Sequence, residues 1–189
     1  MTVQKNEGKD LEEKISVLDT NIFLTGLEIN LFNGIIYSTP NVIEEIRVSK
    51  FAEKNRNIIY KVEAAIASNK MVLKTPSQKY VQTVETHSKK TGDFNALSPV
   101  DIELIALTLD LKENTNKNVV IYTNDYSIEN LCFELNLQFL PLMGKDGIKK
   151  KIIWDVYCPF CKTTYNVEDL YKTCEKCGLK LKRRKQRLK

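Results

Sequence analysis

The sequence predicts an α/β protein: a mostly parallel sheet sandwiched by helices, followed by a small β-rich ribbon built around four cysteines. Short runs of β-branched and aliphatic residues alternate five times with helical patterns, as expected of strands covered on both faces. Cysteines at 158, 161, 174 and 177 follow the spacing C-x2-C-x12-C-x2-C. Between the two parts lies "MGKDGIKKK", rich in Gly and Lys. The expected division is a flexible N-terminus at 1–13, an α/β body at 14–143, a linker at 144–151, the ribbon at 152–180 and a basic tail at 181–189.

The first strand is "KISVLDTNIFLTG" at 14–26, where Ile15, Val17 and Leu18 form a short apolar run that ends in Asp19. A carboxylate at the C-terminal end of such a strand sits at the rim where open α/β sheets bind ligands, although Asp19 could equally cap the next helix. "GIIYSTP" at 34–40 is a second strand stopped by Pro40, which fits the first turn of the helix "PNVIEEIRVSK". Ile58, Ile59, Val62, Ala65 and Ile66 place a longer helix over "NRNIIYKVEAAIAS". "MVLKTP" is a third strand, and "SQKYVQTVETHSKK" a helix ending near Gly92. That helix carries His87, the only histidine, which receives no role. "ALSPVDIELIALTLDLKE" is the best-marked helix, with Ser98 at the N-cap, Pro99 at N1 and an apolar stripe of Ile102, Ile105, Ala106 and Leu109. "NVVIYTND" is a fourth strand that again ends in a carboxylate, Asp125. A helix over "SIENLCFELN" and a strand "QFLPL" complete the alternation.

Two C-x-x-C knuckles turn four thiolates toward one point, a tetrahedral shell suited to a single structural zinc ion. Four sulfurs leave no open position for catalysis, and about thirty residues are too few to hold a core unaided. Gly178 allows a tight turn after Cys177. Cys132, among apolar neighbours, reads as a core residue.

No apolar run approaches the roughly 18 residues that span a bilayer. The opening "MTVQKNEGKDLEEK" has no apolar stretch, so a soluble, cytoplasmic protein without a membrane partner is expected. The net charge of +5 is unevenly spread. Residues 145–189 hold 14 Lys/Arg against 5 Asp/Glu, whereas residues 1–144 hold 15 against 19. A basic end on an acidic body points to a polyanion, with nucleic acid the usual candidate. Lys180, Lys182, Arg183, Arg184, Lys185 and Arg187 are the expected phosphate contacts. Phe160, Tyr165 and Tyr171 would either stack on unpaired bases or pack the ribbon's core.

Asp19 and Asp125, at the ends of parallel strands, can converge on one rim. Asp101 fits either that rim or a capping box with Ser98. Glu44 and Glu45 fit the start of a helix or the same rim. Converging carboxylates repel unless a divalent cation binds between them, and oxygen donors suit Mg²⁺ or Mn²⁺ and phosphate substrates. Hydrolysis of a phosphodiester is the matching chemistry.

"VLDTNIFLTG", "STPNVIEEIR", "LSPVDIELIALTLDL" and "IYTNDYSIEN" resemble the four acidic blocks of PIN-domain ribonucleases. Together with the ribbon, the chain resembles the Nob family of ribosome-assembly endonucleases from about Ile15 to Cys177, and its compact length is similar to archaeal members. The resemblance implies a PIN-like fold and cleavage of precursor small-subunit ribosomal RNA to make its mature 3′ end. It also implies precursor rRNA, the pre-small subunit and other assembly factors as partners. Asp19, Glu45, Asp101 and Asp125 match the four acidic positions, with Glu44 a substitute for Glu45. Asn21 and Thr123 match polar positions that orient the carboxylates. Many PIN domains carry a further acid where this chain has Ser127, which favours one well-held catalytic metal. A toxin-type ribonuclease acting on tRNA or mRNA, or a non-catalytic RNA-binding assembly factor, are the competing readings. The ribbon and basic end argue against the first, and the four filled acidic positions against the second.

Overall fold

A computed structural model of the chain describes residues 14–26, 28–48, 52–142, 144 and 146–186. The expected flexible N-terminus and Arg187 lie outside the described residues. Five parallel strands form the body's sheet: β1 (Ile15–Leu18), β2 (Ile36–Ser38), β3 (Met71–Leu73), β4 (Val119–Tyr122) and β5 (Gln138–Leu140), in the order β3-β2-β1-β4-β5. The central strands β1 and β4 are buried along their whole length, whereas the edge strands β3 and β5 are partly exposed. Burial in β1 and β4 is continuous rather than alternating, as required where helices cover both faces.

The helices are α1 (Thr20–Leu24), α2 (Pro40–Arg47), α3 (Ala52–Ala67), α4 (Gln78–Thr91), α5 (Pro99–Asn114) and α6 (Tyr126–Glu134). Pro40 and Pro99 stand in the first turns of α2 and α5, and Thr39 and Ser98 cap those helices through their hydroxyls. Helix α5 departs from the expected one-sided stripe. Leu104, Leu107, Thr108 and Leu111 are buried together with Ile102, Ile105 and Ala106, because the helix is covered on every side within the core. Cys132 is fully buried in that core, and desolvation pushes its thiol far up. His87 lies 3.2 Å from Glu134 through Nδ1, a packing contact between α4 and α6. Among the described residues no helix is long and apolar enough to cross a membrane.

The second sheet is antiparallel, with β6 (Trp154–Tyr157) between β7 (Thr164–Tyr165) and β8 (Lys182–Lys185). The basic segment expected as a tail from residue 181 therefore contributes a strand, in which Lys182 opposes Tyr157 and Lys185 opposes Trp154. The ribbon's buried core is small: Val156, Cys158, Leu170, Cys174 and Leu181.

The segment expected as a linker is held along α6. The Ile148 N–H donates to Glu129 Oε2 at 2.8 Å, Lys151 Nζ to Glu134 Oε2 at 2.9 Å, and the Ile152 N–H to Asn130 Oδ1 at 2.7 Å. Gly92 ends α4 in the left-handed conformation, and a Cβ there would lie 3.0 Å from the Trp154 carbonyl oxygen. Glycine thus both closes the helix and lets the ribbon approach the body.

Candidate functional site

Strand order 3-2-1-4-5 reverses direction between β1 and β4, and ligands bind such sheets in the crevice at the carboxyl ends of those strands. Register pairs Leu18 with Tyr122, so the next residues, Asp19 and Thr123, meet at that crevice. Asp19 occupies the N-cap position of α1 but makes no capping hydrogen bond through its side chain. Its Oδ2 instead accepts hydrogen bonds from the Thr123 hydroxyl at 2.7 Å and from Asn21 Nδ2. The capping alternative is thereby answered: this carboxylate is held across the crevice, facing β4.

The Thr123 hydroxyl also accepts the Asp125 N–H at 3.0 Å, so one side chain touches both residues; Asp125, expected at the strand end, lies three residues past β4 because it caps α6. Asn21 Oδ1 accepts the Asn124 N–H at 3.2 Å, and Asn124 Oδ1 accepts the Leu142 N–H at 2.8 Å. Asp125 caps α6, its Oδ1 accepting the Ser127 N–H at 2.6 Å. Asp101 completes the capping box: Ser98 Oγ accepts its N–H at 3.1 Å, and its Oδ2 accepts the Ser98 N–H at 2.7 Å. The capping reading of Asp101 is thereby met, and the charge of this carboxylate also reaches Asp19. Glu45 Oε2 accepts the Thr20 hydroxyl at 2.6 Å, beside Asp19, whereas Glu44 turns to Arg47 at 3.1 Å.

Asp19 and Asp101 respond to neighbouring negative charge. Asp19 is only 4% exposed, and its carboxyl is pushed up to about 6. Desolvation is the main cause, opposed by the Thr123 hydroxyl and reinforced by the charges of Asp101 and Asp125. Desolvation likewise raises Asp101, with smaller contributions from Asp125 and Glu45. Partly buried carboxylates under like charge are relieved when a divalent cation binds beside them.

In the ribbon, the four cysteine ligand atoms all lie within 4.8 Å of one another and form no disulfide. The Cys158–Cys177 sulfurs are 3.3 Å apart and the Cys161–Cys174 sulfurs 3.6 Å. A tetrahedral shell with ~2.3 Å bonds needs edges of about 3.8 Å, so the cluster could hold a metal ion after a small expansion. Gly178 adopts the left-handed turn expected of it. Tyr165 is packed into this core, its hydroxyl 3.0 Å from the Cys174 sulfur, where it draws that thiol down to about 6. Phe160 and Tyr171 are exposed, at 72% and 59%. Of the three rings, these two remain open to bases.

The basic residues also separate. Lys180, Lys182, Arg184 and Lys185 are exposed, with Arg184 resting over the Tyr157 ring. Arg183, expected among the phosphate contacts, is turned inward onto Asp93 and Ser127. Asp93, Asn130, Asn124 and Thr20 are placed in or beside the site although no spacing marks them in the sequence.

A model of the PIN domain of ribonucleases matches residues 16–111. The chain is 35% identical over 178 residues to the endoribonuclease Nob1 of Methanocaldococcus jannaschii, covering 93% of this chain and 81% of that one. It is 33% identical to endoribonuclease Nob1 of Pyrococcus abyssi, covering 90% and 95%. Ribonuclease VapC1 of Thermoplasma acidophilum is 31% identical over 89% of this chain and 77% of its own.

Proposed function

The chain belongs to the Nob family of PIN-domain endoribonucleases, and from that premise we propose that it hydrolyses one phosphodiester in precursor small-subunit rRNA, forming the mature 3′ end. The work would take place in the cytoplasm on the pre-small subunit, beside other assembly factors. The observation that supports this reading is Asp19, buried just past the carboxyl end of β1, where the charges of Asp101 and Asp125 help to raise its carboxyl, with Glu45 hydrogen-bonded to the adjacent Thr20. These four are the proposed holders of Mg²⁺ or Mn²⁺, which when bound would acidify a water and stabilise charge on the phosphoryl oxygens. Thr123 and Asn21 would hold the Asp19 carboxylate, and Thr20 the exposed Glu45, in place for the cation. Ser127 supports Asp125 through its N–H. Cys158, Cys161, Cys174 and Cys177 would hold one structural zinc.

The similarity to a ribonuclease VapC1 supports a second reading, in which the substrate is a transfer or messenger RNA. Incubating the protein and Mn²⁺ with three RNAs, a small-subunit 3′ junction, a tRNA and an mRNA leader, separates the two. Discrete cleavage of the junction alone is the expected result, and preferential cleavage of tRNA or mRNA would overturn it.

RNA would be anchored by Lys182, Arg184 and Lys185 on β8 and by Lys180, with the exposed rings of Phe160 and Tyr171 beneath unpaired bases. Each phosphate neutralised on a single strand contributes about 0.7 to the salt slope. Replacing Lys182, Arg184 and Lys185 together by Gln should therefore flatten the slope by about 2 and weaken binding at least tenfold at ~0.1 M salt. Fluorescence anisotropy across a salt titration checks this, and parallel lines for the two proteins would contradict it.

A further inference from the structure

Arg183 is the one described basic residue of β8 whose side chain is not exposed, and its surroundings are specific. Nη1 donates to Asp93 Oδ1 at 2.9 Å, Nη2 donates to Ser127 Oγ at 3.1 Å, and the guanidinium lies 4.4 Å from the centroid of the Trp154 ring. Asp93 is wholly buried. Its Oδ2 accepts from Asn130 Nδ2 at 2.6 Å, and the same amide group donates to the Ile152 carbonyl at 2.8 Å. A second contact lies close by, where Asn95 Nδ2 donates to the Glu168 carbonyl at 2.7 Å. Ser127 in turn gives its N–H to Asp125 Oδ1. A continuous path thus runs from the ribbon's last strand, through Arg183 and Ser127, to a carboxylate of the proposed nuclease site.

We propose that Arg183 is a positioning residue: it locks the ribbon onto the carboxylate rim in one orientation, so that RNA held by the ribbon reaches the carboxylates at a fixed distance. The inference rests on the nuclease reading above for its consequence, but the lock itself is a matter of geometry. A buried carboxylate needs a charged partner, and among the described residues the ion pair of Asp93 is with Arg183 of the ribbon. Desolvation raises Asp93, with Asn130, Thr91 and Arg183 opposing, so the pairing offsets part of the cost of burial. Only a planar fork can serve Asp93 and Ser127 at once while stacking on Trp154, which an ammonium cannot do. A ribbon free to swing would hold RNA just as tightly but present the scissile bond over a range of positions, and a misplacement of about 1 Å can cost about a hundredfold in rate.

The test uses the full-length, zinc-loaded chain and its Arg183→Lys and Asp93→Asn variants, with zinc content confirmed for each. In the wild type, ¹⁵N relaxation should give ribbon and body amides one rotational correlation time; in Arg183→Lys the ribbon should tumble faster than the body. On the 3′-junction RNA, kcat of Arg183→Lys should fall about ten- to a hundredfold while KM stays within about twofold, and cuts should spread to neighbouring phosphodiesters. Asp93→Asn should show the same pattern, since an asparagine has one acceptor oxygen for the two donors, Arg183 and Asn130, that Asp93 serves. A single correlation time in both variants would overturn the lock. Separate tumbling with unchanged cutting rate and position would overturn its role in presenting RNA. Failure of the wild type to cut any RNA would refute the nuclease reading, while the relaxation comparison would still decide the lock.

Discussion

Asp19→Asn should reduce RNA cleavage at least a thousandfold while RNA affinity changes by less than about twofold, because the carboxylate contributes cation binding worth several kcal/mol to the transition state. Asparagine keeps the shape and an oxygen that can accept from Thr123, so the fold is retained. Stability should move the other way. The carboxyl stands at about 6 in the folded chain against an ordinary value of 3.8, so its ionised form is disfavoured by folding. Between those values the folded chain holds a proton that the unfolded chain has released, and stability therefore falls as pH rises through this window. Above it the cost is about 3 kcal/mol at 1.36 kcal/mol per pKa unit. Without Mg²⁺ or Mn²⁺, the variant should melt several degrees higher than the wild type at pH 7 and should lose this part of the pH dependence. Added Mn²⁺ should raise the melting temperature of the wild type and leave that of the variant almost unchanged. Thermal melts from pH 4 to 7, paired with a cleavage assay, check both halves. Wild-type cleavage by the variant would remove Asp19 from the site.

Cys174→Ser should remove the ribbon's zinc and unfold the ribbon. Structural zinc contributes about 10–16 kcal/mol in small domains, and the core left without it amounts to Val156, Leu170, Leu181 and their partly buried neighbours. The body should stay folded on its own larger core, but not unchanged. Asp93 would lose Arg183, and Asn130 would lose both hydrogen bonds to Ile152. The body should therefore melt lower than in the intact protein, and RNA affinity should fall at least tenfold with loss of the anchoring strand. Metal analysis and ¹H–¹⁵N spectra check this: zinc should fall from one per chain to none, with ribbon signals collapsing and body signals persisting. Retained zinc and a dispersed ribbon spectrum would contradict it.

What the sequence made legible is what local pattern encodes. Parallel strands announce themselves as short apolar runs; Asp19 follows directly on one, whereas Asp125 lies three residues past another, as the cap of α6. The cysteine knuckles are legible for the same reason, since spacing alone brings the sulfurs together. Asp101 could be read two ways; the capping box with Ser98 is formed, and its charge still contributes to the raised carboxyl of Asp19. Arg183 was hidden. Within "KLKRRKQRLK" it looks like its neighbours, and what distinguishes it is a partner 90 residues away. A faint signal existed: Leu181 and Arg183 are two apart, the spacing that puts alternate strand residues on one face, and Leu181 is buried. Asp93, Asn130 and Asn124 carry no such signal, since single polar residues gain their roles only when separate elements pack. Tyr165 likewise became a core ring rather than a stacking platform because the ribbon has few other side chains to cover Cys174.

Mapping the cut at nucleotide resolution tests the central claim most directly. Purified protein is incubated with Mn²⁺ or Mg²⁺ and an RNA that spans the 3′ end of the small-subunit rRNA and its downstream precursor sequence, with Asp19→Asn as the control. One cut at the mature 3′ end, dependent on the cation and absent with the variant, is the predicted result. No cut, a cut elsewhere, or equal cutting by Asp19→Asn would contradict it.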